Sequence, residues 1–251
     1  MLNKAQKVLQ QLIYKRNSYN EYDFYSHLYL SRFDDSIGSL YAGGGSVKKN
    51  TTPYDLFNWG PILCRIKINP SDLKKYVELC SKKTSSVNEK LAGLIKHEHY
   101  IDIQKYEEIL NPYISIFYKA FKHWYGLAAP AKVLVRRAWV NFMVAGEFNP
   151  PHIHANCDFS SVLFVKIPNE LKEEHKKFTG TGGGPGALSF FHGGSQNFSI
   201  CYRDFLPEEG SFYIFPAALT HFVSPFTSKG ERISISANFT FDINRNTLFK
   251  K

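Results

Sequence analysis

The sequence contains no apolar run of the roughly 18 to 20 residues that a membrane-spanning helix requires. Its first residues, MLNKAQKVLQQLI, interrupt their apolar positions with Asn, Lys and Gln, unlike an export signal. A soluble, unexported, cytoplasmic protein is expected. Cysteine is scarce: Cys64, Cys80, Cys157 and Cys201 are the only four, in no CxxC or other paired spacing. That excludes a zinc knuckle and a disulfide framework and fits reduced thiols. There is no internal repeat and no extended low-complexity tract. Acidic residues are outnumbered, 22 against 31 Lys plus Arg, leaving a formal charge of +9. Such a balance favours acidic substrates or partners by long-range attraction. The basic residues are dispersed as short pairs, such as Lys74-Lys75 and Arg136-Arg137, with no helix-turn-helix, RNP or finger signature. An ordinary solvated basic surface is therefore preferred over a nucleic-acid site.

What is present points to one large β-rich domain. The 251 residues are 43% hydrophobic and 16% aromatic, with 21 Phe, 15 Tyr, 17 Gly and 12 Pro, a composition of strands and turns rather than of a helical bundle. The texture changes near residue 130, which suggests a helical or mixed region over 1–130 packed on a β core over 131–251. In the first part, Leu2, Ala5, Leu9 and Leu12 share a helical face, and a Gly-rich stretch ends at Gly43-Gly44-Gly45. ILCRIKI at 62–68 alternates as a strand, and Asn69-Pro70-Ser71-Asp72 is a helix start, followed by Leu73, Tyr76, Val77 and Cys80 on one face. Ile103, Tyr106, Leu110, Tyr113, Phe117, Phe121 and Trp124 keep helical spacing, with Asn111-Pro112 marking a kink or a new N-terminus.

From 131 onward, short β runs are separated by turn residues: KVLVRRAWVNFMV, SVLFVKI at 161–167, ALSFF at 187–191, SFYIF at 211–215 and RISISANFTF at 232–241. The polar connection from Asn169 to Gly186 exceeds the usual loop length and reads as a lid or a disordered insert. The expected fold is mainly β, a sandwich or jelly roll with the helices packed on one outer face.

Chemistry concentrates in three places. In Gly146-Glu147-Phe148-Asn149-Pro150-Pro151-His152-Ile153-His154, two histidines one residue apart on a strand project from the same face, a chelating geometry. His221, just past the SFYIF strand, supplies a third imidazole if the two strands are neighbours. Of the nine histidines, His27, His97, His99, His123 and His175 read as ordinary surface or core residues. On the last strand Arg232, Ser234, Ser236 and Asn238 share one face and Ile233, Ile235 and Phe239 the other. A polar face with a guanidinium suits a carboxylate, which Arg binds as a bidentate fork.

Over about 131–241 these residues resemble the Fe(II)- and 2-oxoglutarate-dependent dioxygenases, which are built on a double-stranded β-helix. His152-Ile153-His154, His221 and Arg232 stand where that family carries its metal-binding pair, its distal His and its co-substrate Arg. Arg232-Ile233-Ser234 is similar to an Arg-x-Ser motif in parts of the superfamily. The run Asn149-Pro150-Pro151-His152-Ile153-His154 with FPAALTHFVSPF and RISISANF resembles a branch known from bacterial and phage sequences. Position 154 departs from the family, which mostly has a carboxylate there. Asp158 is the nearby alternative ligand, with a turn residue as its simpler reading.

The resemblance implies Fe(II), 2-oxoglutarate and O2, with Arg232 and Ser234 on the co-substrate's 5-carboxylate. It further implies oxidative decarboxylation to succinate and CO2 coupled to hydroxylation of a C–H bond. Trp139 and Asn141 become pocket candidates, Asn141 as a donor to the co-substrate, although a core Trp and a satisfied strand Asn fit equally. The same segments also resemble the two cupin motifs, with Asp158 in place of Glu, Ala218 in place of Gly and Pro225 in place of Asn. A cupin-type metalloenzyme that does not use 2-oxoglutarate, or a non-catalytic jelly-roll binding module, are thus the alternatives. A small-molecule or peptidyl substrate, acidic in character, is expected.

Overall fold

The computed structural model describes residues 60–81, 84–126, 132–194, 197 and 199–242. The helical face of Leu2 to Leu12, the glycines at 43–45 and His27 lie outside the described residues. The chain divides into two compact units, 1–56 and 57–251, so the change of texture near residue 130 falls inside the second.

Within that unit, β1 (Cys64–Lys67) leads into α1 (Pro70–Cys80), and β2 (His97–Tyr100) into α2 (Ile103–Tyr125). Next come β3 (Lys132–Met143), β4 (Asn149–His152), β5 (Phe159–Lys166), α3 (Asn169–Lys177), β6 (Leu188–Phe191) and β7 (Tyr202–Phe205). The chain continues through β8 (Ser211–Pro216), β9 (Thr220–Val223) and β10 (Arg232–Asp242). All pairings are antiparallel, in a six-stranded sheet of order β1-β8-β5-β10-β3-β2 and a four-stranded sheet of order β4-β9-β6-β7. This is the jelly roll expected from the strand pattern. Its larger sheet, however, takes both edge strands from residues before 131.

The helices start and stop where local chemistry dictates. Asn69 caps α1, its side-chain oxygen accepting from the Asp72 N–H at 3.0 Å, with Pro70 at the first position. In α1 Leu79 is buried and Val77 is 46% exposed, a correction to the expected face. Pro112 lies inside α2 without ending it, so one helix of 23 residues runs to Gly126, which closes it in the left-handed region at φ 65°. Of the three α-helices among the described residues, α1 and α2 pack on one side of the larger sheet. Tyr76, Tyr106, Phe117 and Phe121 meet Ala138, Val140, Ile235 and Ala237 there. Between the sheets Met143, Val162, Phe164 and Phe215 meet Leu188, Phe190, Leu219 and Val223. A β-bulge at Arg136, where Asn238 pairs with Arg137 and Phe239 with Val135, lets Val133 and Val135 join Ala138 and Val140 on the helix side.

The disordered insert that was one expectation for 169–186 is corrected: the segment contains α3. Its one apolar anchor, Leu171, is fully buried. The Glu174 carboxylate accepts from the Thr227 and Ser228 N–H groups at 3.0 and 2.8 Å, and a His175 ring nitrogen meets the Pro185 carbonyl at 2.7 Å. One leucine in nine otherwise polar residues is too weak a periodic signal to mark a helix in the sequence.

Candidate metal centre and co-substrate pocket

β4 and β9 are neighbours, with His152 directly opposite His221. His154 follows two residues beyond His152, past the end of β4, its backbone N–H held by the Ala217 carbonyl at 2.9 Å. The ligating nitrogens of His152, His154 and His221 all lie within 4.8 Å of one another, and the Nε2 atoms of His154 and His221 are 3.3 Å apart. Metal–nitrogen bonds of about 2.1 Å set two ligand nitrogens roughly 3.0 to 3.4 Å apart, so the His154–His221 pair has the spacing of two ligands on one cation, and a small adjustment of the His152 ring would complete the set.

Their environment prepares the same role. Nδ1 of His152 meets the Pro150 carbonyl at 2.7 Å and Nδ1 of His221 the Leu219 carbonyl at 2.9 Å. Donation there fixes the tautomer that leaves Nε2 free to ligate. Burial depresses the pKa of all three imidazoles, of His154 to about 4 and of His221 to about 3, with mutual repulsion adding to the effect in those two. The rings are therefore neutral at pH 7, as ligation requires. Phe215 and Phe190 pack on His221 at 4.7 and 6.0 Å between ring centres, and Trp139 on His154 at 6.0 Å. Asp158 is not in the cluster: one of its carboxylate oxygens accepts the Phe241 N–H at 2.8 Å.

The imidazoles open into a cavity of about 600 Å³, which Arg232, Ser234, Ser236, Asn238, Trp139 and Asn141 also line. Alternation on β10 sends its polar face there and Ile235, Ala237 and Phe239 to the helices. Arg232 is 1% exposed. Its Nη1 donates to the Gly186 carbonyl at 2.8 Å, its guanidinium lies 5.3 Å from the Phe164 ring centre, and its Nε has no partner among the described residues. Gly186 offers that carbonyl from the left-handed region, at φ 67°. No carboxylate among the described residues pairs with Arg232, and burial pulls its pKa down to about 10.

Asn141 lines the cavity with its side chain bonded within the protein. Its amide nitrogen donates to the Ser236 hydroxyl at 3.1 Å and the Ser234 carbonyl at 3.3 Å, and its oxygen accepts from Trp139 Nε1 at 3.0 Å.

Glu98, absent from the sequence reading, lies in the same wall at 1% exposure. It stands on β2 opposite Asn141, in a four-residue strand, HEHY, too short to carry a period. Its Oε2 has no partner. Burial, and then the charge of Glu147, push its pKa up to about 7. The folded state thus holds this proton more tightly than the unfolded chain, so the favourable contribution is complete below about pH 4.5 and lost as pH rises through 7. Glu98→Gln should be close to neutral at pH 5. At pH 8 it should be more stable than the parent by on the order of 2 kcal/mol. Urea unfolding of both proteins at the two pH values measures this, and parallel pH profiles would refute it.

Residues 137–238 match a family model described as "Putative 2OG-Fe(II) oxygenase". No curated protein matches the chain. Among solved structures, the fold is similar to a Pseudomonas putida prolyl-4-hydroxylase, at 16% identity and TM-score 0.46, covering 71% of this chain and 92% of that one. A Trichoplax adhaerens prolyl hydroxylase in complex with a hypoxia inducible factor peptide gives 12% identity, TM-score 0.48, and 75% and 87% coverage. A viral collagen prolyl hydroxylase from Paramecium bursaria Chlorella virus-1 gives 14%, 0.43, and 70% and 94%.

A jelly roll with three clustered histidines and a buried guanidinium in one cavity is able to hold a metal ion beside a carboxylate ligand. Residues 137–238 therefore match an Fe(II)- and 2-oxoglutarate-dependent oxygenase domain, a kind of domain whose cofactors are Fe(II), 2-oxoglutarate and O2. Among the described residues no helix is long and apolar enough to cross a membrane.

Proposed function

We propose that His152, His154 and His221 hold the iron, that Arg232 and Ser234 bind the 5-carboxylate of 2-oxoglutarate, and that the enzyme hydroxylates a C–H bond of a small-molecule or peptidyl substrate. The observation that carries this reading is Arg232. A fully buried guanidinium that finds one backbone acceptor and no counter-ion among the described residues is costly, and a dicarboxylate in the same cavity as the imidazoles removes that cost. Bound iron supplies the activation of O2 and the oxidation of the C–H bond.

The chain does the rest. The Pro150 and Leu219 carbonyls hold two imidazoles in the ligating tautomer, and the Arg232 fork orients the co-substrate's far end. Asn141 acts as a positioning residue, locking Trp139 beside His154 through its 3.0 Å bond. Phe190 and Phe215 exclude water behind His221. Four unpaired thiols support a reducing, cytoplasmic setting, and the excess of basic residues supports an acidic substrate.

The test is spectroscopic. Under anaerobic conditions Fe(II) and 2-oxoglutarate added together should produce the weak visible charge-transfer band of the chelate. A cupin that does not use 2-oxoglutarate would bind iron without the band, and a binding module would bind neither.

A further inference from the structure

The cavity face of β3 and β10 is laid out in rows: Arg232 beside Met143, Ser234 beside Asn141, Ser236 beside Trp139, and Asn238 beside Arg137. Successive rows are about 6.7 Å apart, two residues of strand. The Trp139 ring lies 6.0 Å from that of His154, so the histidine cluster stands beside the third row. Arg232 is two rows away on one side. Arg137 is one row away on the other, in the part of the cavity that a co-substrate reaching back to Arg232 leaves free.

Arg137 is half-buried and lines the cavity, and its charge is felt at both His154 and Cys157. Two polar groups, one in its own row and one in the following turn, have bonds of their own. Asn238 accepts from the Ser160 hydroxyl at 2.9 Å, and Asp158 takes the Phe241 N–H. Among the described residues Arg137 has no ion pair and no side-chain hydrogen bond. The bulge at Arg136 turns the strand at this point, as bulges beside active sites commonly do. The lining carries Lys90, Arg136, Arg137 and Arg232 against one carboxyl, Glu98. With 2-oxoglutarate in place, positive charge remains on the substrate side, and a partly enclosed cleft focuses it.

We propose that Arg137 is the specificity-determining residue for the oxidised substrate and binds a carboxylate on it, placing the reacting carbon within about 7 Å of that group. This rests on the function proposed above. A single planar fork matches a carboxylate bidentately. A phosphate would call on backbone N–H groups as well, and in the adjoining turn those of His154 and Asp158 are bonded to the Ala217 and Phe239 carbonyls.

The experiment uses the full chain loaded with Mn(II) in place of Fe(II) and saturated with 2-oxoglutarate. The paramagnetic relaxation of carboxyl-labelled acetate is then measured, with acetamide and inorganic phosphate in parallel. Acetate should relax strongly in the parent and acetamide should not. Arg137→Gln should lower the acetate effect by roughly ten-fold, and Arg137→Lys should keep part of it. Unchanged 2-oxoglutarate affinity in both variants reports an intact fold. Equal acetate relaxation in parent and Arg137→Gln, or equal relaxation of acetate and acetamide, overturns the proposal. Stronger Arg137-dependent relaxation of phosphate would overturn the carboxylate assignment. Failure of the parent to bind 2-oxoglutarate, read before acetate is added, overturns the proposed function and this inference with it.

Discussion

Arg232→Leu should weaken 2-oxoglutarate binding by roughly thirty-fold to a thousand-fold, about 2 to 4 kcal/mol, while iron affinity hardly moves. The loss follows from removing a bidentate charged partner in a site where water cannot replace it. The same substitution should leave the ligand-free protein no less stable and raise its Tm by a few degrees. Arg232 is 1% exposed with Nε unpartnered, and exchanging an uncompensated buried charge for an apolar side chain commonly stabilises. The Gly186 carbonyl loses its donor, which offsets part of the gain. Calorimetric titration with 2-oxoglutarate and a thermal melt of the ligand-free protein together decide the matter. A large drop in Tm with 2-oxoglutarate binding intact would make Arg232 a structural anchor for the Gly186 turn and remove it from the co-substrate site.

His152→Ala and His221→Ala should each lower iron affinity by more than about a hundred-fold and abolish turnover, with the fold retained. The bound is set by outer-shell partners, whose loss alone costs about ten- to a hundred-fold. Each variant also frees one carbonyl, Pro150 or Leu219, that the ring had engaged. His154→Asp should still bind iron, because a carboxylate at that position keeps three ligands and adds a negative charge. Metal analysis after anaerobic reconstitution reads all three variants. Normal stoichiometry in His152→Ala or His221→Ala would dismiss the histidine cluster as the metal centre, and complete loss in His154→Asp would mean that the site requires three imidazoles.

Much of this arrangement was legible because it depends on neighbours in the chain. The alternation of Arg232, Ser234, Ser236 and Asn238 with Ile233, Ile235 and Phe239 is a property of one strand, and the structure keeps both faces as the pattern required. The spacing of Tyr106, Leu110, Tyr113, Phe117 and Phe121 likewise marked a buried helical stripe. Features that rest on a few residues without a period were not legible. The β2 strand that carries Glu98 has four residues and α3 has one buried side chain, and neither gives a repeating signal above its polar surroundings.

The strand-rich class, the paired histidines at 152 and 154, the third at 221 and the polar face of the last strand are all readable along the chain, since residue type and side-chain period are local properties. Folding in three dimensions sets the rest: His221 stands opposite His152 on a strand of its own, Asp158 is engaged by the Phe241 backbone, Arg232 has no counter-ion among the described residues, and Glu98 and Arg137 share its cavity. Those facts depend on which distant strands pair and in what register. Burial across both sheets fixes register, because a slip by one residue would turn every core side chain of a strand to the wrong face.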